Sequence, residues 1–349
     1  MIVARTPFRI SFAGGGTDIP SFYRAHGGAV VSMAIDKYFY LTMHRAFLSR
    51  GYLLKYAKTE TVQSVEEIEH PIIRQVFADY GIRGVDFSSA ADIPAGTGLG
   101  SSSAFTAGLI SLCNAYQGRY VPAEEVAAAA CHIEIDRLGE PIGKQDQYGC
   151  AVGGLKLIEF HADERVDVTP IFLTPAKRRA LEDSLVLAYV GGHRSASEML
   201  RQQGAEIAAN PARLHDLKAM ATLARQLHVQ LQDDPAALGP FLHEGWERKR
   251  RLSPTVSTPF IDAVYERGLA AGATGGKLLG AGGGGFVLFC APGATAHGVR
   301  AALSDLPLFS VKVDGAGSVI VYDDMSHLTA PPVAPRAAPF AASMAVAAE

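Results

Sequence analysis

Pro94-Ala95-Gly96-Thr97-Gly98-Leu99-Gly100-Ser101-Ser102-Ser103-Ala104 places three glycines at alternate positions ahead of a serine run. Upstream, Val85-Asp86-Phe87-Ser88 alternates as a strand does; downstream, Ser103 to Tyr116 is rich in Ala, Leu and Ile and free of proline, as a helix is. Gly96, Gly98 and Gly100 admit positive φ and close approach, so their backbone N–H groups can turn toward a ligand. The serines are expected to cap the helix, whose positive end favours an anion. A serine hydroxyl at this junction can also reach a metal ion held by phosphates. The stretch reads as a phosphate cradle, with a plain glycine turn and serine N-cap as the alternative.

On the N-terminal side, Phe8, Ile10 and Phe12 share one face of a strand and Arg9, Ser11 and Ala13 the other, before Gly14-Gly15-Gly16-Thr17-Asp18 breaks it. Arg9 therefore points away from the apolar face, as a solvated charge or a functional one, and Asp18 caps a turn or meets a ligand. Residues 28 to 45 read as a long strand or hairpin arm, 51 to 57 as another strand and 71 to 80 as a short helix. After the cradle helix, a second helix runs from Val121 through Glu134 to about Leu138. Glu134 shares a stripe with Ala130, Cys131 and Leu138, where burial without a partner is costly; it is either a surface residue at a frayed edge or has a cation. Asp146 lies in the polar run Gly143-Lys144-Gln145-Asp146-Gln147-Tyr148-Gly149, a loop entering a helix, where an N-cap is the alternative reading.

Leu155 to Phe160 and Val166 to Phe172 pattern as strands, and Pro175 to Asp183 as a helix closing a first unit. Ser184 to Val190 is an apolar strand followed by Gly191-Gly192-His193-Arg194-Ser195-Ala196-Ser197, where Arg194 and the serines at a helix start can hold an anion or merely cap a loop. Helical pattern continues to about Ala271. The second glycine-dense element, Gly275-Gly276-Lys277-Leu278-Leu279-Gly280-Ala281-Gly282-Gly283-Gly284-Gly285, contains G-x-G-x-x-G but leads into β-like residues instead of a helix. It fails the Walker pattern because Leu278 follows Lys277, and no H-R-D or D-F-G motif supports a protein-kinase loop. What remains is a strand, glycine loop and strand whose bare backbone approaches something, plausibly the first unit's ligand. Residues 295 to 305 read as a helix, and 309 to 313 and 318 to 322 as strands. Beyond Ser326 a Pro/Ala-rich tail without a core pattern is expected to be disordered.

With 349 residues, 48% of them hydrophobic, the chain can bury two domain cores. Lys and Arg (32) nearly balance Asp and Glu (35), for a net charge of -3, which argues against nucleic-acid or anionic-membrane binding and for a small-molecule partner. No apolar leader or spanning segment is present, so a cytoplasmic location is expected. Cys113, Cys131, Cys150 and Cys290 are widely spaced and read as buried thiols.

Taken together, Pro7-Phe8-Arg9 with Gly14 to Asp18, Pro94 to Ala104, and Lys277 to Gly285 match in order and spacing the three motifs of the GHMP small-molecule kinases, which the chain resembles over about residues 1 to 325. The Gly-Gly-Gly-Thr-Asp form of the first motif, Gln145 to Tyr148 and Arg194 to Ser197 resemble the D-glycero-D-manno-heptose 7-phosphate kinases. Galactokinases usually show Gly-Glu-His-Thr-Asp at the first motif, a departure here. The resemblance implies an α+β fold: a ribosomal protein S5 domain 2-like N-terminal domain (1–183), a ferredoxin-like C-terminal domain (184–325), and a tail (326–349).

It also implies ATP and Mg²⁺ as cofactors, a sugar or sugar phosphate as acceptor, and a homodimer as one arrangement. Pro94, Gly96, Thr97, Gly98, Leu99, Gly100, Ser101, Ser102 and Ser103 would wrap the triphosphate, and Ser102 and Glu134 would ligate the metal. Asp146 would be the catalytic base and Arg9 the cation that favours the alkoxide. Gly15, Gly16, Thr17, Asp18, Gln145, Asp146, Arg194, Ser195, Gly282 and Gly283 would bind the acceptor, with Arg194, Lys144 and Arg24 as candidates for its remote phosphate. The reaction implied is phosphorylation of the anomeric hydroxyl to give heptose 1,7-bisphosphate for nucleotide-heptose and surface polysaccharide synthesis. A kinase for galactose, fucose or another sugar, and a non-catalytic ATP or sugar sensor, are the alternatives.

Overall fold

Eighteen residues of nearly unbroken β-forming sequence make β2 (Gly28–Arg45), which pairs with β1 (Ile2–Ala13) along one edge and serves two different strands along the other. Its first half pairs with β6 (Leu155–Phe160) and its second half with β5 (Val85–Ala91), both antiparallel. The computed structural model describes residues 1–47, 51–192, 199 and 211–324. The expectations for Arg194, Ser195 and the tail from 326 lie outside the described residues.

Between these strands the chain forms α1 (Pro20–His26), β3 (Tyr52–Lys55), β4 (Thr59–Val62), α2 (Pro71–Tyr80), α3 (Ser101–Tyr116), α4 (Ala123–Cys131) and α5 (Gln145–Ala151). β7 (Val166–Pro170) and α6 (Pro175–Ser184) follow. With β12 (Val319–Asp323) at one edge, the first sheet has eight strands in the order β12-β1-β2-β5-β3-β4, with β6 on β2 and β7 on β6. Only β3 and β5 pair in parallel among the described strands. Its core gathers Ile2, Leu41, Phe77, Phe87, Leu109 and Ile158 under α2, α3 and α4.

β8 (Leu185–Gly191) opens the second sheet. Helices α7 (Pro211–Asp233), α8 (Leu238–Leu252) and α9 (Pro259–Ala270) precede β9 (Gly275–Leu278) and β10 (Gly285–Cys290). α10 (Thr295–Ala302) and β11 (Leu308–Phe309) complete the unit. The strand order β11-β8-β10-β9, antiparallel throughout, is the 4-1-3-2 arrangement of a ferredoxin-like sheet. The final strand, β12 (Val319–Asp323), leaves this sheet and pairs with β1, so a single cut after 183 does not follow the sheets.

Of the two readings of Arg9, the solvated charge does not hold: both faces of β1 are covered. Phe8, Ile10 and Phe12 sit in a core shared with Leu187, Leu227 and Leu288 of the second half, while α3 and α5 pack on the strand from the other side. Arg9 is only 3% exposed. The β1–β2 register shifts between Pro7 and Arg9, an irregularity of the kind that re-aims a side chain beside a site. The helix expected from Val121 to Leu138 also changes character, α4 giving way to a π-helical turn over His132–Arg137.

Candidate active site

The three glycine elements converge on one cleft of about 260 Å³ between the sheets, lined from the first motif, the cradle, α5, α8 and the late glycine loop. Gly96, Gly98 and Gly100 all have positive φ (75°, 84° and 78°), as the cradle reading requires. The serine cap is not formed. The N-cap of α3 is Gly100, with no side-chain bond to the first-turn amides. The serines are drawn elsewhere: Ser101 Oγ accepts from the N–H of Gly96, and Ser102 and Ser103 donate to Glu134. A 16-residue helix thus meets the cleft with its N-terminal amides uncapped by side chains, the arrangement that binds a phosphate.

Glu134 is buried (1% exposed). Its carboxylate accepts from Ser102, from Ser103 at 2.8 Å and from the Gln147 amide at 2.8 Å. Burial pushes its pKa up, and these donors oppose the rise. The surface alternative for Glu134 is therefore removed, and its protein partners among the described residues are neutral donors. The π-helical turn, in which Leu138 N–H reaches the carbonyl of Ile133, carries Glu134; such single turns often mark functional positions.

Arg9 donates from Nε to Asp146 Oδ1 at 2.8 Å, from a terminal nitrogen to the same oxygen at 2.7 Å, and from the other to the carbonyl of Gly98 at 2.9 Å. The guanidinium joins the cradle to α5. Burial works against its charge, but Asp146 more than offsets this and its pKa is raised. Asp146 is in the first turn of α5, whose N-cap is Lys144, so the cap alternative does not apply. Its Oδ2 has no hydrogen-bond partner among the described residues.

At the other end, Asp18 accepts from the backbone of Gly16 (2.9 Å) and Gln145 (3.1 Å) and from the Gln145 side chain (3.1 Å). Burial, then the charge of Asp146, raises it to about 6. Gly15 and Gly16 line the cleft here. Ser11 Oγ and Gln145 Oε1, both buried and without a hydrogen-bond partner among the described residues, approach the position of a Cβ on Gly15 at 3.6 and 3.7 Å. Such orphaned atoms call for a ligand.

Several expected ligands are placed elsewhere. Thr17 Oγ1 donates to Gly14 and Ala29 carbonyls, closing the turn. Thr97 donates to the Pro94 carbonyl, and neither lines the cleft. Leu99 is a core residue, and the Gly283 N–H is engaged by Val256 while Gly282 faces the cleft. Lys144 and Arg24 both pair with Glu164 (2.6 and 2.5 Å). The late glycine loop approaches the first glycine turn itself: a Cβ on Gly280 would lie 2.4 Å from Gly98 Cα, and one on Gly285 would lie 2.4 Å from the Thr97 carbonyl oxygen.

Ser11, Lys249, Lys277 and Leu217 line the site unforeseen. The alternation of β1 placed Ser11 beside Arg9, the one signal available. Lys249 lies in a charge-rich helix that pattern alone cannot orient.

A family profile described as the GHMP kinases N terminal domain matches residues 65–154, and one described as GHMP kinases C terminal matches residues 212–307, together just over half the chain. The chain belongs to the GHMP kinases. These are phosphotransferases with an alcohol group as acceptor. Among curated relatives of this GHMP kinase, the D-glycero-alpha-D-manno-heptose 7-phosphate kinase of Campylobacter jejuni is 27% identical over 304 residues, 82% of this chain and 88% of that one. The bifunctional fucokinase/GDP-fucose pyrophosphorylase of Arabidopsis thaliana is 26% identical, over 88% of this chain and 31% of that one. A solved structure titled a D-glycero-D-manno-heptose 1-phosphate kinase, from Bacteriodes thetaiotaomicron, superposes with a TM-score of 0.74 at 22% identity, covering 93% of this chain and all of that one. Galactokinase from Lactococcus lactis complexed with galactose gives 0.70 at 16% identity, covering 91% and 94%. These two structures support the two-domain fold.

Proposed function

We propose that this GHMP kinase transfers the terminal phosphoryl group of ATP to the C1 hydroxyl of D-glycero-D-manno-heptose 7-phosphate, giving the 1,7-bisphosphate that precedes nucleotide-activated heptose. The observation that carries the kinase chemistry is the Arg9–Asp146 pair, fastened by Arg9 to the cradle through Gly98. It puts a carboxylate oxygen with no partner among the described residues beside the helix terminus that would receive the phosphates. An acceptor hydroxyl held at Gly15, Gly16, Asp18 and Gln145 donates its proton to Asp146 Oδ2 as its oxygen attacks the terminal phosphorus, whose bond to the bridging oxygen breaks so that ADP leaves. Arg9 stabilises the charge left behind, and the α3 amides hold the triphosphate in line.

Ser102 Oγ and the Glu134 carboxylate form a hard oxygen pair, and among the described residues no cluster of three or more His, Cys, Asp or Glu forms a dedicated metal cage. This fits Mg²⁺, which is commonly held by one or two carboxylates together with substrate phosphates. When bound, the ion neutralises phosphate charge. We place the protein's two domains at 1–183 and 184–318, with β12 returning to the first.

The heptose assignment draws on the Campylobacter relative and on the first-motif form. A second reading, a neutral or deoxy sugar such as fucose, is favoured by the wall of Leu217, Met220 and Leu252: Leu217 Cδ2 stands 3.4 Å from a Cβ position on Gly16. ADP release with Mg·ATP against heptose 7-phosphate, unphosphorylated heptose, mannose 6-phosphate, galactose and fucose decides between them. Preference for the heptose phosphate supports the first reading, preference for fucose the second, and no release with any sugar removes both.

A further inference from the structure

Lys249 on α8 and Lys277 on β9 both line the cleft, and both are buried, 9% and 5% exposed. The Lys249 ammonium donates to the carbonyls of Leu278 (3.4 Å) and Gly280. That of Lys277 donates to the carbonyls of Ser11 (2.9 Å) and Phe12 (3.2 Å). Neither has a carboxylate partner among the described residues; the charged neighbours that perturb them are cations, Arg9 for both and Lys249 for Lys277. Burying an ammonium without a counter-charge is unfavourable. The third cation of the lining, Arg9, is already matched by Asp146, and the carboxylates of Asp18 and Glu134 are held by amides and hydroxyls. An ammonium has three donors, so two carbonyl partners leave one N–H on each lysine.

We propose that Lys249 and Lys277 form a second phosphate-binding subsite, between the late glycine loop and β1, whose remaining donors meet the oxygens of a phosphate group. The inference rests on the kinase reading for the nature of the anion. Two sources present the same chemistry: the terminal phosphate of the nucleotide and a phosphate carried by the acceptor. The Gly280 carbonyl held by Lys249 belongs to the turn stacked on Gly98, at the nucleotide end, whereas Lys277 holds the strand that carries Ser11, at the acceptor end.

Calorimetric titration of the full-length protein and of Lys249→Gln with Mg·ATP, Mg·ADP, heptose 7-phosphate and unphosphorylated heptose separates the sources. A loss of about tenfold or more in ATP affinity, with ADP within about twofold, assigns the subsite to the terminal phosphate; the same loss confined to the phosphorylated sugar assigns it to the acceptor. Lys249→Arg, which keeps the charge, retains most of the affinity in either case. Affinities all within about twofold of wild type overturn the proposal and leave the lysines as braces of the glycine loop. Should Lys249→Gln not fold, acetic anhydride labelling of the wild-type protein gives the same answer: ATP or the sugar phosphate protects Lys249 and Lys277, and equal labelling with and without them overturns it. The ATP-to-ADP contrast reads the subsite whether or not any sugar supports turnover, so its failure is distinct from failure of the kinase reading.

Discussion

Gly98 and Gly280 meet backbone to backbone, so closely that neither position has room for a side chain: a Cβ on Gly98 would lie 2.7 Å from the Leu279 carbonyl oxygen, and one on Gly280 would lie 2.4 Å from Gly98 Cα. Both have positive φ, 84° and 74°. Gly280→Ala therefore adds strain of about 1–3 kcal/mol and pushes the cradle out of place. Denaturant melts should show the loss of stability, and nucleotide titration a loss of ATP affinity larger than that loss explains.

Gly15 offers the contrast. It has no positive φ, and a Cβ there meets Gln145 and Ser11 only at ordinary contact distance, 3.6 Å and beyond. Gly15→Ala should melt like wild type while raising the KM for the acceptor, because the methyl group occupies the space where Ser11 Oγ and Gln145 Oε1 are left unpaired. Ser11→Ala removes a hydroxyl with no protein partner and should leave stability unchanged or slightly higher, with an acceptor KM several-fold up, about 1 kcal/mol for one lost hydrogen bond. An unchanged KM in both variants would remove this end of the cleft from acceptor binding.

Asp146→Asn should keep ATP affinity and lose more than about tenfold in turnover, or ~1.4 kcal/mol of barrier. The substitution also takes the counter-charge from a buried Arg9, so the melting temperature should fall. Asp146→Glu, compared with Asp146→Asn, should recover part of the melting temperature and little of the turnover, since the carboxylate is carried one methylene further into the cleft. Turnover near wild type in Asp146→Asn would sink its role as base.

Glu134→Gln should raise the Mg²⁺ concentration for half-maximal rate about tenfold or more while leaving the acceptor KM alone. The amide has one accepting oxygen, so it cannot accept from Ser102 on one side and Ser103 on the other as the two carboxylate oxygens do. Measuring rate against Mg²⁺ at saturating ATP tests this directly.

Asp18 sets a pH dependence. Its folded pKa of about 6 lies above the ordinary 3.8, so between those values the folded chain holds a proton that the unfolded chain has lost. Stability therefore falls as pH rises from about 4 to about 6, by up to about 3 kcal/mol, and stays lower above that window. Asp18→Asn should flatten this part of the profile and be the more stable protein at pH 7.5, while losing acceptor affinity. Urea melts at pH 4.5 and 7.5 on both proteins supply the comparison.

The glycine motifs were legible because positive φ and close approach leave a local mark; the cradle, the first-motif turn and the strand, loop and strand around Gly280 all stand where their residues placed them. Arg9 was harder. Alternation tells one face of β1 from the other, but not that α3 and α5 cover the second face. The serines looked like caps because nothing local announces that Glu134, some thirty positions on, competes for their hydroxyls. Glu134 itself was seen on an apolar stripe, yet its partners come from α3 and α5. Lys249 and Lys277 reach the cleft by packing between elements distant in sequence, and no periodicity records that. The pairing of β12 with β1 is likewise a property of the whole chain, since an isolated five-residue apolar run fits either sheet.

That pairing ties the end of the described chain back to its beginning. The polypeptide passes between the sheets twice, once after α6 and again after β11. The second passage is stitched to β2, with Asp36 and Ala34 exchanging backbone bonds with Lys312 and Asp314. The second sheet cannot part from the first without breaking these backbone bonds and the core shared around Phe8, Ile10 and Phe12. The two units should therefore melt in one cooperative step, with calorimetric and van't Hoff enthalpies equal.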